Sequence, residues 1–200
     1  LTTILAFASA SGALSDPITI MKGKAVQAHW RTYKPQNWPV YASENGYINK
    51  ELMITTGRHF VRHLRELGLL GLPIVLLLDG HVAHAYNYSF AMYMAMYNIH
   101  VVQFPPHCTH FLQPYDACIL ASLKRGWQSA VRVWNRQRCA ARLNKEQFFI
   151  PFKRTWRKVM KPQLIQSGFR QVGAWPLDKS RISEKCFSTK EIIGRNELFC

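Results

Sequence analysis

The sequence predicts an α/β fold, and three observations support this. The continuously apolar segment Ile74–Leu78 ends at Asp79-Gly80 and is too short for a core helix, which indicates a strand. A second strand, His100–Phe104, follows a segment of helical composition, giving a strand–helix–strand unit with an expected right-handed crossover. Later in the chain, apolar residues recur at helical spacing. Continuously apolar strands are typical of parallel sheets, so we expect Ile74–Leu78 to be buried on both faces.

The N-terminal part of the chain predicts a hairpin followed by a loop and a helix. Leu1–Ala10 reads as a strand that ends in the turn Ser11-Gly12, and Pro17–Met21 is its expected partner. Residues 30–46 contain two prolines and several polar side chains, which favours a loop with one short extended piece. From Asn49 onward, apolar residues near helical spacing predict a helix that stops at Gly68.

Two further helices are predicted, one on each side of the second strand of the strand–helix–strand unit. The first is Ser89–Tyr97, and the second begins near Asp116, after a proline-rich break. The second helix carries one apolar stripe, formed by Ile119, Leu120, Leu123, Trp127, Val131 and Trp134. We expect the tryptophans of this region to lie in the core and not to stack on nucleobases, because large aromatic side chains dominate packing.

The charge of the chain predicts a polyanionic partner. The formal net charge is +15, and residues 117–200 hold 18 of the 26 Lys and Arg but 5 of the 11 Asp and Glu. Such a one-sided distribution repels itself unless an anion offsets it, which favours nucleic acid over an ordinary solvated helical face. The basic residues expected to contact nucleic-acid phosphates are Lys124, Arg125, Arg132, Arg136, Arg138 and Arg142.

Two classes of protein are disfavoured by composition. The five cysteines are odd in number and form no CxxC pair, so neither a disulfide framework nor a zinc ribbon is indicated. No apolar run approaches the roughly 20 residues of a membrane span, so we expect no membrane partner.

Asp79 and Asp116 are the candidate metal-binding residues. Asp79 stands where a buried strand ends, at the edge of the sheet where ligands of open α/β folds bind. Asp116 stands at the mouth of the long helix, and carboxylate oxygens are ligands that Mg²⁺ prefers. Taken singly, Asp79-Gly80 is also compatible with a plain turn and Asp116 with a helix N-cap. Carboxylates that converge from separate elements beside a basic segment instead favour two-metal phosphoryl transfer.

Three segments resemble signatures of the DDE superfamily endonucleases, closest to the pogo, Tigger and jerky branch of the mariner-like transposases. They are Leu77–His84, Phe104–Asp116 and Gly168–Leu177, in the order in which that family has them. The resemblance spans nearly the whole chain. It implies an RNase H-like fold, with a mixed sheet flanked by helices, in which three acidic residues bind two Mg²⁺ or Mn²⁺ ions and cut and join DNA strands.

Carried over by position, the resemblance makes Asp79 the second catalytic acid and Asp116 the third. In the family the first acid lies on a strand just upstream of the one that matches Leu1 to Ala8, so we expect this chain to lack both that strand and that acid. Asp16 does not replace it, because Asp16 falls in the hairpin turn, where the family has no metal ligand. Two metal ions are therefore expected only in a completed site.

The resemblance also implies supporting residues around the two acids. His81, His84, Thr109, His110 and Gln113 are expected to orient the acid-bearing loops by hydrogen bonding. The same region holds His107 and Cys108, so zinc is an alternative, but the spacing is unlike that of a zinc finger.

The predicted organisation is a partial RNase H-like domain at 1–143 and a basic helical extension at 144–200. The partner is DNA, a homodimer is possible by analogy with the family, and the expected location is the nucleus. A transposase-derived DNA-binding protein without catalytic activity is the alternative to an endonuclease. A structural or interaction module is a third class.

Overall fold

The computed structural model describes residues 1–79, 87–105, 108–138 and 143–182. The strands are β1 (Thr2–Leu5), β2 (Ile18–Lys22), β3 (Val40–Ser43), β4 (Ile74–Leu78) and β5 (Ile99–Gln103). The α-helices are α1 (Lys50–Glu66), α2 (Tyr88–Ala95), α3 (Thr109–Leu112), α4 (Leu120–Gln137), α5 (Phe149–Val159) and α6 (Pro162–Gln171). Short 3₁₀ turns cover Ala28–Arg31 and Lys179–Arg181, and a π-helical turn, Tyr115–Ile119, leads into α4. This mixed architecture confirms the predicted α/β class and is consistent with an RNase H-like domain.

The described strands form two sheets. β1 and β2 pair in antiparallel fashion, which confirms the predicted hairpin, and β3 adds to β2 in parallel. β4 and β5 form a separate two-stranded parallel sheet, as the strand–helix–strand unit predicts. Among the described strands, β1 and β4 therefore each pair along one edge only.

The expectation that β4 is buried on both faces is wrong. Leu76 is buried, but Val75 is 63% exposed and Leu77 is 37% exposed. Alternate residues of a strand point to opposite faces, so the face that carries Leu76 packs on the core and the other faces outward. The described helices that pack on this sheet cover one face, which is why the alternation appears despite the continuously apolar sequence.

The ends of α1 follow from local chemistry. The side chain of Asn49 accepts a hydrogen bond from the amide of Leu52 at 2.8 Å, which caps the first turn of the helix. At the other end Gly68 has φ of +68°, a conformation that favours glycine and ends the helix where predicted. The helix presents its apolar face to β4, β5 and α2.

The described residues form two hydrophobic cores. The first core joins the hairpin region to α4, α5 and α6, through Met21, Trp30, Trp38, Val40, Ile119, Leu123, Phe149, Phe152, Trp156, Met160 and Ile165. The second core joins α1, α2, β4 and β5, through Met53, Phe60, Val61, Leu64, Leu76, Phe90, Met94 and Ile99. Trp134 and Trp156 are buried and Trp127 packs against the first core, which confirms the expectation for these tryptophans.

Two predictions from the sequence concern the domain boundary and the absence of a membrane-spanning segment. The domain boundary after residue 143 stays a prediction, and α5 and α6 share the first core with β2 and α4. No helix within the described ranges combines the length and the apolar content that spanning a membrane requires.

Candidate functional site

Asp79 lies at the carboxyl end of β4, where the sequence places it. The amide of Phe104 donates to the carbonyl of Leu78 at 2.9 Å, so the pairing of β4 with β5 continues up to the residue before the aspartate. Asp79 is half-buried. A well-ordered parallel pair therefore fixes the backbone that carries this carboxylate, and it does so at the sheet edge where ligands of α/β folds bind.

Asp116 lies in the π-helical turn Tyr115–Ile119 and is exposed. π-helical turns are rare and occur frequently at functional sites. The neighbouring hydroxyl of Tyr115 donates to the carbonyl of Ala6 at 3.2 Å, which ties the turn to the chain just beyond β1. Burial raises the pKa of the Tyr115 phenol well above its usual range.

The Asp116 turn also packs against α6, which brings two of the three signature segments into contact. A Cβ atom on Gly168 would lie 3.1 Å from the side chain of Ile119 and 3.3 Å from the carbonyl of Pro114. Glycine thus permits the close approach of the helix to the turn. On the same helix, the side-chain amide of Gln166 donates to the carbonyl of Ser11 at 2.7 Å. Helix α6 therefore bridges the hairpin turn and the turn that carries Asp116.

The residues that follow β1 connect the two acid-bearing segments. Ala6 accepts the hydrogen bond from Tyr115 and packs against the first core. Phe7 points to the other side, where its ring stacks on Phe60 with centroids 4.4 Å apart and packs in the core that contains β4. Successive residues of an extended segment point to opposite sides. Ala6 and Phe7 therefore connect the turn that carries Asp116 to the core that packs against β4, the strand that leads to Asp79.

The predicted supporting residues Thr109, His110 and Gln113 lie in or beside α3, directly before the Asp116 turn. The carbonyl of Thr109 accepts from the amide of Gln113 at 3.0 Å, and the carbonyl of Gln113 accepts from the amide of Ala117 at 3.1 Å. His110 is exposed, and its ring meets that of Phe111 edge-on. Their roles stay predictions.

The side-chain oxygen of Gln113 is buried and has no hydrogen-bond partner. An unpaired buried carbonyl costs about 1–3 kcal/mol, so such an atom calls for an explanation. Gln113 has an extended backbone at the end of α3 and lies three residues before Asp116 in the chain. Carboxylate and amide oxygens are ligand types that Mg²⁺ binds, and the side chains of Asp79, Asp116 and Gln113 carry oxygens of these types.

Several predicted residues fall outside the described ranges. These are His81 and His84 of the first signature segment, His107 of the proposed zinc alternative, and Arg142 of the basic set. Among the described residues, no group of three or more His, Cys, Asp or Glu side chains comes together as a metal site. Asp16 has another role, since its carboxylate accepts a hydrogen bond from the indole N–H of Trp38 at 3.0 Å.

The predicted basic residues of α4 lie on its surface. Lys124, Arg125, Arg132 and Arg136 are all exposed, and Arg138, just after the helix, is exposed with its guanidinium 3.9 Å above the ring of Trp134. Arg132 and Arg136 are one turn apart and so share a face of the helix. The exposure that phosphate contact requires is therefore present, while the contact itself stays a prediction.

A second basic surface lies on α5, within the basic helical extension that the sequence predicts. Lys153, Arg154, Arg157 and Lys158 follow helical spacing and lie on one face, opposite the buried Phe152 and Trp156. Part of this face borders a groove between α4 and α5 of about 520 Å³. The i, i+3, i+4 spacing of these cations places them on one side of the helix.

Comparison with known proteins gives one family and one relative. Residues 1–169 match the family described as DDE superfamily endonuclease. Over 184 residues the chain is 24% identical to a protein of Cochliobolus lunatus named MFS-type transporter clz9, a match that covers 92% of this chain and 20% of that protein. The chain thus spans about a fifth of the length of this curated relative. No solved structure matches the chain.

Proposed function

Because this chain belongs to the DDE superfamily endonuclease family, we propose that it forms the metal-binding and DNA-contacting part of an enzyme that cuts and joins DNA strands. The family match carries the proposal, since it extends from the hairpin through both aspartates to α6. Nuclease membership implies a nucleic acid as substrate, and the basic second half of the chain agrees with that implication.

In this proposal Asp79 and Asp116 hold Mg²⁺ or Mn²⁺ through their carboxylate oxygens. When bound there, such ions would supply positive charge to the attacking, phosphoryl and leaving oxygens of a phosphodiester. The protein supplies the fixed positions: β4 carries one carboxylate, and the turn anchored by Tyr115 carries the other. A third carboxylate is expected to complete the two-ion site. The nucleus is the corresponding location, and self-association is not part of the proposal.

A second candidate is a DNA-binding protein that keeps the fold without the chemistry. The exposed cations of α4 and α5 favour it, because they need neither metal nor catalytic acids to contact phosphates. The two candidates differ in what they require of the aspartates. The endonuclease needs both carboxylates at a metal, whereas the binding protein needs neither.

Binding of Mn²⁺, followed by electron paramagnetic resonance, separates the two candidates. The endonuclease proposal predicts saturable Mn²⁺ binding that Mg²⁺ competes for, and a loss of affinity of at least about tenfold in Asp79→Asn and in Asp116→Asn, since each substitution removes a charged ligand. A plasmid-nicking assay with the same proteins then asks whether bound metal supports strand cleavage.

Asp16→Asn is the matched control. It removes one carboxylate of the same type, and its side-chain oxygen still accepts from Trp38, so Mn²⁺ affinity is expected to stay unchanged. Saturable binding unaffected by either Asp79→Asn or Asp116→Asn would exclude the proposed metal site. Tight DNA binding without any Mn²⁺ binding would support the second candidate.

A further inference from the structure

A groove lies between α4 and α5 and is lined by side chains of both helices. Gly126 of α4 lies against the last turns of α5, where a Cβ atom would be 2.7 Å from a methyl group of Val159 and 3.1 Å from that of Thr155. Toward the other end of α4 the groove is lined by Val133 and Trp134 on one side and by Ile150 on the other. Its volume of about 520 Å³ is in the range of small-ligand pockets.

The rim of this groove carries uncompensated positive charge. Arg138 borders it from just beyond the end of α4, and Arg154 and Lys158 border it from α5. These cations form no ion pair with the acidic side chains of the described ranges; the pair between Arg181 and Asp178 lies elsewhere. Arg154 and Lys158 are one helical turn apart on the same face, so they repel each other in the free protein. An anion between the helices would relieve that repulsion.

The buried lining of the groove also has an unused donor. Trp134 is 6% exposed, and its indole N–H is buried without a hydrogen-bond acceptor. The guanidinium of Arg138 stacks on its ring at 3.9 Å, which positions a bidentate donor beside the same residue. A phosphate oxygen that approached the groove beside Trp134 would meet the exposed guanidinium of Arg138 at the rim.

The spacing of the cations favours a nucleic-acid backbone over an acidic protein surface. On α5 the rim cations recur once per helical turn, about 6 Å apart along the axis. A nucleic-acid strand presents one negative charge per nucleotide at regular intervals, which suits such a row. On α4, Arg132 and Arg136 adjoin the groove-lining Ser129 and Val133 at helical spacing, so positive charge continues beyond the rim.

We propose that the α4–α5 groove binds a phosphodiester segment of nucleic acid, with Arg138, Arg154 and Lys158 as phosphate contacts, independently of the metal ions. The inference rests on the proposed function in taking nucleic acid as the substrate. It assigns the contact to a groove shared by two helices, which the sequence analysis did not specify.

The test is fluorescence anisotropy of the 200-residue chain with labelled single-stranded and duplex DNA, in chelator and over a series of salt concentrations. We expect Arg154→Gln/Lys158→Gln to bind about 10- to 30-fold more weakly than the parent, because two charge-assisted contacts are lost. The slope of log affinity against log salt should fall by about 1.4 to 1.8, for single strands and duplex respectively.

Arg58→Gln/Arg65→Gln is the matched control, since it removes two exposed cations from α1, away from the groove. If DNA affinity fell equally in the two double variants, the loss would depend on net charge alone and not on the groove, which would overturn the inference. The inference would also be overturned if Arg154→Gln/Lys158→Gln abolished binding of an acidic peptide but left DNA affinity unchanged. Absence of DNA binding by the parent chain would instead contradict the proposed function itself, so the two failures are distinguishable.

Discussion

Trp38 is the residue on which the first core most visibly depends. It lies in the segment before β3, is 5% exposed, and its ring meets three aromatic rings of α5. The centroid distances are 6.5 Å to Phe149, 5.7 Å to Phe152 and 6.1 Å to Trp156, all in edge-on geometry. Replacing Trp38 with alanine therefore removes these aromatic contacts between the segment before β3 and α5.

The magnitude follows from the size of the cavity. Truncation of a buried Trp or Phe to Ala costs about 3–5 kcal/mol, and edge-on aromatic pairs add about 0.5–1.5 kcal/mol each before overlap is considered. The lost hydrogen bond to Asp16 contributes little, because that carboxylate is exposed and regains water. We expect Trp38→Ala to lower the free energy of unfolding by about 4 kcal/mol, a large share of the stability of an ordinary domain.

Urea denaturation followed by circular dichroism measures this loss. Trp175→Ala is the control, since Trp175 is 63% exposed and its truncation should change stability by no more than about 0.5 kcal/mol. A loss below about 2 kcal/mol for Trp38→Ala, or an unfolding transition of α5 that is independent of the hairpin, would refute the shared core.

Two other substitutions test the support of the site and a titrating pair. Tyr115→Phe removes the donor to the Ala6 carbonyl. We therefore expect the free energy of unfolding to fall by about 1 kcal/mol and the Mn²⁺ affinity to weaken several-fold. If both values stayed unchanged, the hydroxyl would not anchor the Asp116 turn. His59 bonds the Tyr41 hydroxyl at 2.6 Å, and burial, reinforced by the charge of Arg62, lowers the pKa of its imidazole below the usual value near 6.5. The unfolded chain therefore binds the proton more readily, so stability should be fully present above about pH 6.5 and fall as the pH drops below it. In denaturation at a series of pH values His59→Gln should flatten that fall, and an unchanged pH profile would contradict the assignment.

Local sequence predicted most elements because their signals are local. The bounds of β4 agree to the residue, and α1 begins after Asn49 and ends before Gly68 through its cap and its positive φ. The short extended piece in the loop was also expected. Its parallel pairing with β2 was not, because that partnership depends on contacts that the segment does not encode by itself.

The sequence was sufficient to propose the candidate site residues, whose metal-binding role stays a prediction, but it did not reveal the contacts that support them. Asp79 and Asp116 were found from their positions after a strand and before a helix. The link from Tyr115 to Ala6 joins residues more than a hundred positions apart, and no periodicity signals such a contact. The exposed face of β4 was missed for a related reason: a continuous apolar run does not reveal how many layers cover it.

The most direct test of the central claim asks whether Asp79 and Asp116 bind the same metal. Fe²⁺ that replaces Mg²⁺ at such a site generates hydroxyl radicals with ascorbate and peroxide, and these cut the backbone next to the metal. We predict cuts near both residue 79 and residue 116, suppressed by excess Mg²⁺ and lost together in Asp79→Asn or in Asp116→Asn. Cuts at one of the two positions alone, or cuts that persist in both variants, would contradict a shared metal site.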